Sequence, residues 1–335
     1  MAIRVVVVGL GSRGHDWVRE IRNNRKFELV AGIDVDSNAQ QLIGLRCEEF
    51  YQDFTEALTT TQPNAVIIAT PADCHVEFCR LALERSIAVM VEKPFTTNLA
   101  EAAHLVSLAS RRQTPLIVAQ NYRYLRSFRT ARRVISEGTL GPLLTVICQY
   151  HRIPHQMAAS LSCLVNSVMW GIAVHHLDML RYVLRQEVIA VVAESFTAPW
   201  SQLPQGASMR IMLTFADGVR AVYTATYESS GHEYFEKGQE FYARFTGERA
   251  TLHIFHRWLV LCEKGKLPRL LRRGPRKMTE EQVMLDQLEN ALLTGEEADS
   301  SGQDNLQTMA IIEACLRSAE EKRWINPQEL LDELQ

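Results

Sequence analysis

The chain opens with a run of β-branched residues, Val5-Val6-Val7-Val8, that passes straight into Gly9-Leu10-Gly11-Ser12-Arg13-Gly14. This Gly-x-Gly-x-x-Gly spacing at a strand-to-helix turn limits the fold more than any other feature, because each glycine answers a separate steric demand. Gly9 allows the tight turn out of the strand, Gly11 lets the backbone approach a pyrophosphate, and Gly14 lets the following helix pack closely on the sheet. The helix N-terminus then offers N–H groups and the positive end of its dipole to an anion. A glycine triplet alone says little, since glycine-rich turns are common. Here the context agrees: Ile3–Val8 reads as a strand, His15–Asn23 as a helix and Phe27–Ile33 as a second strand, with Asp34 at its end, twenty residues after Gly14.

Strand-like and helix-like segments keep alternating to about residue 120. Helices are expected near Asp53–Thr61, Cys79–Glu84 and Asn98–Arg111, and strands at Ala65–Thr70, Ala88–Glu92 and Leu116–Ala119. Such alternation implies parallel strands joined by right-handed crossovers, with ligands at the strands' C-terminal ends. Beyond a helix near Ser127–Glu137, closed by Gly138, strands predominate: Leu143–Tyr150, Val188–Ser195, Met209–Phe215, Val219–Thr226, Phe241–Thr246 and Trp258–Cys262, with Asp217-Gly218 suited to a hairpin turn. One helix, from about Val168 to Leu184, interrupts them, and two, Glu280–Leu293 and Asp304–Lys322, follow. The expected fold is α/β: an N-terminal doubly wound Rossmann sheet over residues 1–122, then a C-terminal α+β domain over 123–335 built on a large, mainly antiparallel open sheet, with the active cleft between them.

A length of 335 residues suits two domains, and 47% apolar with 22% charged residues is the balance of a globular protein with sizeable cores. The formal charge of −3 gives no electrostatic case for nucleic acid or an anionic membrane. No apolar run reaches bilayer-spanning length, and a strand in place of a signal peptide points to the cytoplasm. The seven cysteines are scattered, form no Cys-x-x-Cys pair and read as reduced, mostly buried small hydrophobes.

Chemistry concentrates at the strand ends. Ala69-Thr70-Pro71, with His75 after it, ends one strand, and Glu92-Lys93-Pro94 ends the next. Thr70 and Pro71 would border a nicotinamide ribose. A lysine at a strand end is ordinarily a solvated charge, but a proline directly after it fixes the local chain and aims the side chain. Lys93 could then polarise a carbonyl or stabilise an alkoxide, and partial burial would lower its pKa toward the useful range. Asp34 would accept hydrogen bonds from ribose hydroxyls and repel a 2′-phosphate, which favours NAD over NADP, and Val35-Asp36-Ser37-Asn38 adds negative charge and no arginine. Arg13 is expected to touch phosphate or solvent. His151-Arg152-Ile153-Pro154-His155 ends a strand where His151 and Arg152 could meet a substrate; Pro154 argues against one helical face for both histidines, and no metal is expected. The basic stretch from Lys264 to Lys277 reads as a solvated loop, with a phosphorylated or acidic ligand as the alternative.

Together, these motifs resemble the glucose-fructose oxidoreductase, inositol dehydrogenase and rhizopine-catabolism (Gfo/Idh/MocA) family of nicotinamide-dependent oxidoreductases. The likeness spans nearly the whole chain. It is carried by the glycine loop, Asp34, Ala69-Thr70-Pro71 with His75, Glu92-Lys93-Pro94, Gln120-Asn121-Tyr122-Arg123-Tyr124, His175-His176-Leu177-Asp178 and Asp304-Asn305-Leu306. The resemblance implies that Lys93 is the catalytic lysine, that Glu92 lies with it beside the nicotinamide, and that the Lys93-Pro94 bond is cis. It further implies that Asn121 contacts the cofactor, that Tyr122 and Arg123 line the substrate entrance, and that His175 transfers the proton. His176 reads as structural. The substrate class it implies is a sugar, cyclitol or related polyhydroxylated alcohol or ketone, and the assembly a homodimer or homotetramer.

One position departs from the family pattern. Many members carry an Asp four residues before the active-site His, one helical turn away on the same face; here that position holds Gly171, and Asp178, three residues beyond His175, is left as a candidate to orient it. A helical glycine costs up to about 1 kcal/mol against alanine, so it points to a need for room or a bend. Two other functions stay open on the same fold: a lyase or glycosidase working by transient oxidation, and a dinucleotide-binding regulator without catalysis.

Overall fold

The computed structural model describes residues 2–153, 164–229, 239–256, 258–272, 274 and 278–334. They form two compact units: Met1–Asn121 with Met278–Met309, and Tyr122–Lys277 with Ala310–Gln335. A single crossing near residue 122 is thus corrected, because the chain returns to the first unit at residue 278. The physical reason is an edge that needs covering and charges that need partners. Ile117 bridges Ser301, the Val118 N–H donates to the Ser300 carbonyl at 2.9 Å, and Lys26 reaches Glu289 at 2.5 Å.

The first unit holds six parallel strands: β1 (Ile3–Val8), β2 (Phe27–Ile33), β3 (Phe50–Tyr51), β4 (Ala65–Ile68), β5 (Ala88–Glu92) and β6 (Leu116–Ala119), in the order β3-β2-β1-β4-β5-β6. The order reverses between β1 and β4, which makes the C-terminal ends of those strands the ligand crevice of this topology. Valines and isoleucines fill β1 and β4 because both faces of a parallel sheet are covered: Val5–Val8 and Ala65–Ile68 are at most 1% exposed. Trp17 and Ile21, one turn apart on the helix Ser12–Arg22, are fully buried. Side-chain caps start the helices Phe54–Thr61 (Asp53) and Leu99–Arg112 (Asn98), and a reciprocal capping box of Thr279 and Gln282 starts Glu280–Thr294.

The second unit is built on eight strands: β7 (Leu143–Arg152), β8 (Val188–Phe196), β9 (Ser208–Phe215), β10 (Arg220–Thr226), β11 (Gln239–Gly247), β12 (Ala250–Phe255), β13 (Trp258–Glu263) and β14 (Arg269–Leu271). Their order is β14-β13-β12-β11-β7-β10-β9-β8, antiparallel except for the central β7–β10 pair. Asp217-Gly218 makes the β9–β10 turn, with Gly218 at φ +92° and the Asp217 carboxylate accepting from the Val219 N–H. Burial alternates along β9 and β10, the mark of a sheet with one packed face, and leaves Met212 and Val222 exposed on the other.

The expected helix Val168–Leu184 carries a correction. The helix is present from residue 167 to Leu184, but Met169–Ala173 within it is a π segment. Gly171 therefore sits in the wider i→i+5 winding, one turn before His175.

Candidate functional site

In the first unit the glycine loop has the shape its sequence implied. Gly9 stands at φ +82°, and a Cβ there would lie 2.8 Å from the Ala69 carbonyl and the Thr70 nitrogen. A Cβ on Gly14 would come within 1.9 Å of the Gly9 oxygen, whereas one on Gly11 would meet nothing within 4 Å. Two glycines are thus fixed by the fold, and the third faces open space. Gly11 is the N-cap of Ser12–Arg22, extended and without a side-chain cap, so no side chain of the cap covers the first N–H groups of the helix. Asp34 stitches the end of β2 to this loop: its carboxylate accepts from the Leu10 N–H at 2.7 Å and from the Asp36 N–H at 3.0 Å. Leu10 is buried, while Ser12 and Pro71 are exposed.

At the neighbouring strand ends, His75 is a strut. Its ring is 1% exposed and spans the Thr70 carbonyl (Nε2, 3.0 Å) and the Pro94 carbonyl (Nδ1, 2.9 Å), tying the end of β4 to the loop after β5. The Lys93-Pro94 bond is cis. Burial lowers the Lys93 pKa, opposed by the attraction of Glu92 and assisted by the positive charge of Arg13. The Glu92 carboxylate is enclosed and accepts from Arg13 Nε at 2.8 Å and Trp17 Nε1 at 2.9 Å. Arg13 thus faces carboxylates as well as the loop that bears it. Thr70 Oγ1, Asn121 Oδ1 and both ends of the Gln120 amide are buried with no hydrogen-bond partner among the described residues. Gln120 follows Ala119, the register partner of Glu92, and parallel-strand register was the signal that could have singled it out. A bare backbone cradle, a carboxylate at the end of β2 and unsatisfied polar groups at the ends of β4 and β6 fit a dinucleotide. Gly9 to Gly14 would hold its phosphates, Asp34 a ribose, and Thr70, Pro71 and Asn121 the nicotinamide end.

The second unit gathers its polar groups differently. Tyr122 stacks on the buried His175 with ring centroids 4.2 Å apart and planes 16° from parallel. Burial pushes the Tyr122 phenol up and the Arg152 charge pulls it back. Arg152 also lies 6.0 Å over the Tyr227 ring. The phenols of Tyr150 and Tyr227 are likewise raised, first by burial. Neither tyrosine was foreseen, although strand alternation puts Tyr150 on the same face as Arg152. The same alternation turns His151 to the opposite face, so His151 and Arg152 do not share one site as expected. Arg123 and Asp178 form a two-pronged pair (Nε–Oδ2 2.6 Å, Nη2–Oδ1 2.5 Å) at 3% and 0% side-chain exposure. That pair is part of the packing between their segments, not an exposed entrance. His176 is enclosed, its Nδ1 2.9 Å from the Tyr223 hydroxyl, and burial lowers its pKa to about 3. Pro154 and His155 lie outside the described residues, as do Arg273, Arg276 and Lys277 of the basic stretch.

A doubly wound sheet with a phosphate cradle at its switch point and a half-buried lysine at a nearby strand end has the parts of a dinucleotide-dependent oxidoreductase. Residues 3–120 match the model described as an oxidoreductase family with an NAD-binding Rossmann fold, and residues 128–267 match the GFO/IDH/MocA C-terminal domain. The chain belongs to the GFO/IDH/MocA oxidoreductase family. It is 24% identical over 342 residues to a D-apiose dehydrogenase of Paraburkholderia graminis, covering 97% of this chain and 89% of that one. It is also 24% identical over 343 residues to an inositol 2-dehydrogenase of Rhizobium meliloti, covering 97% and 99%. An Agrobacterium radiobacter oxidoreductase solved with NAD+, L-tartaric acid and magnesium shares the fold, with a TM-score of 0.88, 18% identity and coverage of 98% and 100%. No helix among the described residues is long and apolar enough to cross a membrane.

Proposed function

We propose that this oxidoreductase is an NAD-dependent dehydrogenase that interconverts a secondary alcohol and a ketone on a sugar, cyclitol or related polyhydroxylated compound. The observation that carries the reading is Lys93, half-buried directly after β5 and beside the enclosed Glu92 carboxylate, where desolvation favours the neutral amine. Such a group can hold a substrate oxygen or take up its proton. The relatives named for a sugar and a cyclitol support the substrate class, and the relative solved with NAD+ supports the cofactor. When bound, NAD would supply the hydride acceptor, and its chemistry is the cofactor's own. Lys93 stabilises the reacting oxygen electrostatically. His175 moves the proton, its ring plane set by the stack on Tyr122. Asp34 selects NAD over NADP, because a carboxylate repels a 2′-phosphate. The exposed apolar residues Leu144, Met212 and Val222 on the second unit's sheet support self-association into a dimer or tetramer, which sedimentation would read directly.

The test is a fluorescence titration with NADH and, separately, NADPH, followed by a screen of polyols that includes D-apiose and myo-inositol. NADH should bind at least tenfold more tightly than NADPH; binding of neither would sink the reading. On the substrate found, Lys93→Ala should lower turnover about a thousandfold at nearly unchanged NADH affinity. His175→Ala should remove one limb of the pH–rate profile, and an unaltered profile would remove His175 from the mechanism.

A further inference from the structure

Glu92 and Lys93 are neighbours in sequence and opposite in charge, the carboxylate buried and the lysine half-buried. Left to itself, a buried carboxylate beside an ammonium holds that ammonium charged. The structure supplies Glu92 with other company. Its Oε1 accepts from Arg13 Nε at 2.8 Å and from the Trp17 indole N–H at 2.9 Å, and Arg13 Nη2 lies 2.8 Å from the same oxygen. Arg13 is fixed in turn on its far side. Its Nη1 lies 3.2 Å from Asp16 in the next turn and 3.1 Å from Glu281, 268 residues away in sequence, on the helix Glu280–Thr294. The charged groups facing this cluster are Arg13, Asp16, Arg19 and Glu20 from Ser12–Arg22, Glu92 and Lys93 from the end of β5, and Glu281 from Glu280–Thr294.

We propose that Arg13 is a positioning residue for Lys93: its salt bridge to Glu92, anchored by Glu281 and Asp16, offsets the pull of the Glu92 carboxylate on the neighbouring ammonium. The proposal rests on the reading that Lys93 works at the reacting centre. The directions agree, since Glu92 raises the Lys93 pKa and Arg13 lowers it. A glycine-loop side chain thereby has a task beyond the phosphates. It couples the loop to the charge state of the lysine, and Glu281 sets how much of the Arg13 charge Lys93 feels.

A plain packing role for Arg13 predicts something different, and the signs separate the two. The full-length protein is labelled with trace acetic anhydride across pH, and acetylation of Lys93 is read by peptide mass spectrometry, which needs no substrate. Arg13→Met removes a positive charge, so the Lys93 midpoint should move up by about half a pH unit or more, a threefold slowing of labelling below the midpoint. Glu281→Gln leaves the Arg13 charge less neutralised, so the midpoint should move down. Arg13→Lys should restore most of the wild-type profile. Opposite shifts support the proposal, because loss of packing would speed labelling in both variants. Superimposable profiles, or two shifts of the same sign, overturn it. If Arg13→Met fails to fold by circular dichroism, Arg13→Gln takes its place, an upward shift opposite to that of Glu281→Gln supporting the proposal and an unmoved midpoint or a shift of the same sign refuting it. Failure of the catalytic reading shows separately, as retained turnover in Lys93→Ala with these labelling profiles unaffected.

Discussion

In the first unit the groups placed for a ligand are mostly backbone: the N–H groups of a loop whose course Gly9, Gly14 and Asp34 dictate. In the second they are side chains, Tyr122, Arg152 and His175, brought from three separated segments and seated among phenols. The first kind of site is set by sterics over a few residues and leaves little freedom of sequence. The second depends on tertiary packing, and one of its chain segments can change without the others. Under the proposed function, that contrast matches a cofactor held by backbone and a substrate held by side chains.

The contrast can be broken by mutation. The largest effect should fall on the second unit's buried anchor: Asp178→Ala removes one member of an enclosed ion pair and should cost about 3–5 kcal/mol in urea unfolding. A loss under about 1 kcal/mol would mean that the pair does not hold its segments together. Next comes Gly14→Ala, whose methyl has no room beside the Gly9 oxygen and should lower stability by about 1–3 kcal/mol. Gly11→Ala is its counterpart. With nothing near the added carbon, its melting temperature should match wild type while NADH affinity falls about tenfold. Equal behaviour of the two alanine variants would erase the distinction between a glycine the fold needs and one the ligand needs.

The smallest effect concerns His176. Its pKa is about 3 in the folded protein against an ordinary 6.5, so it contributes stability that is fully present above 6.5 and is lost as pH falls from there toward 3. Between pH 7 and 5.5 the protein should lose about 1 kcal/mol on this account, and His176→Gln should flatten that part of the curve. Unfolding free energies at four or five pH values would show it.

What could be read in the sequence divides along the same line. Gly9, Gly11, Gly14, Asp34 and Glu92-Lys93-Pro94 act over short spacings, so spacing alone announces them. Arg123 and Asp178 are 55 residues apart and Arg13 and Glu281 268 apart, and no local pattern links such partners. The π winding at Met169–Ala173 was invisible because its residues suit an ordinary helix equally well. The strand β12 has no boundary legible in the sequence, although its burial alternates, because Ala250–Phe255 runs almost directly into β13 and the two lack a Gly or Pro turn between them.

The return of residues 278–309 to the first unit has a consequence for the order of events on the ribosome. When residue 121 emerges, β6 still lacks the Ile117–Ser301 bridge along its edge, and Arg13 lacks Glu281. About half of the chain must still be made before either arrives. The nascent first unit therefore waits with an open strand, the kind of edge on which other chains assemble, and its completion is timed by the synthesis of the second.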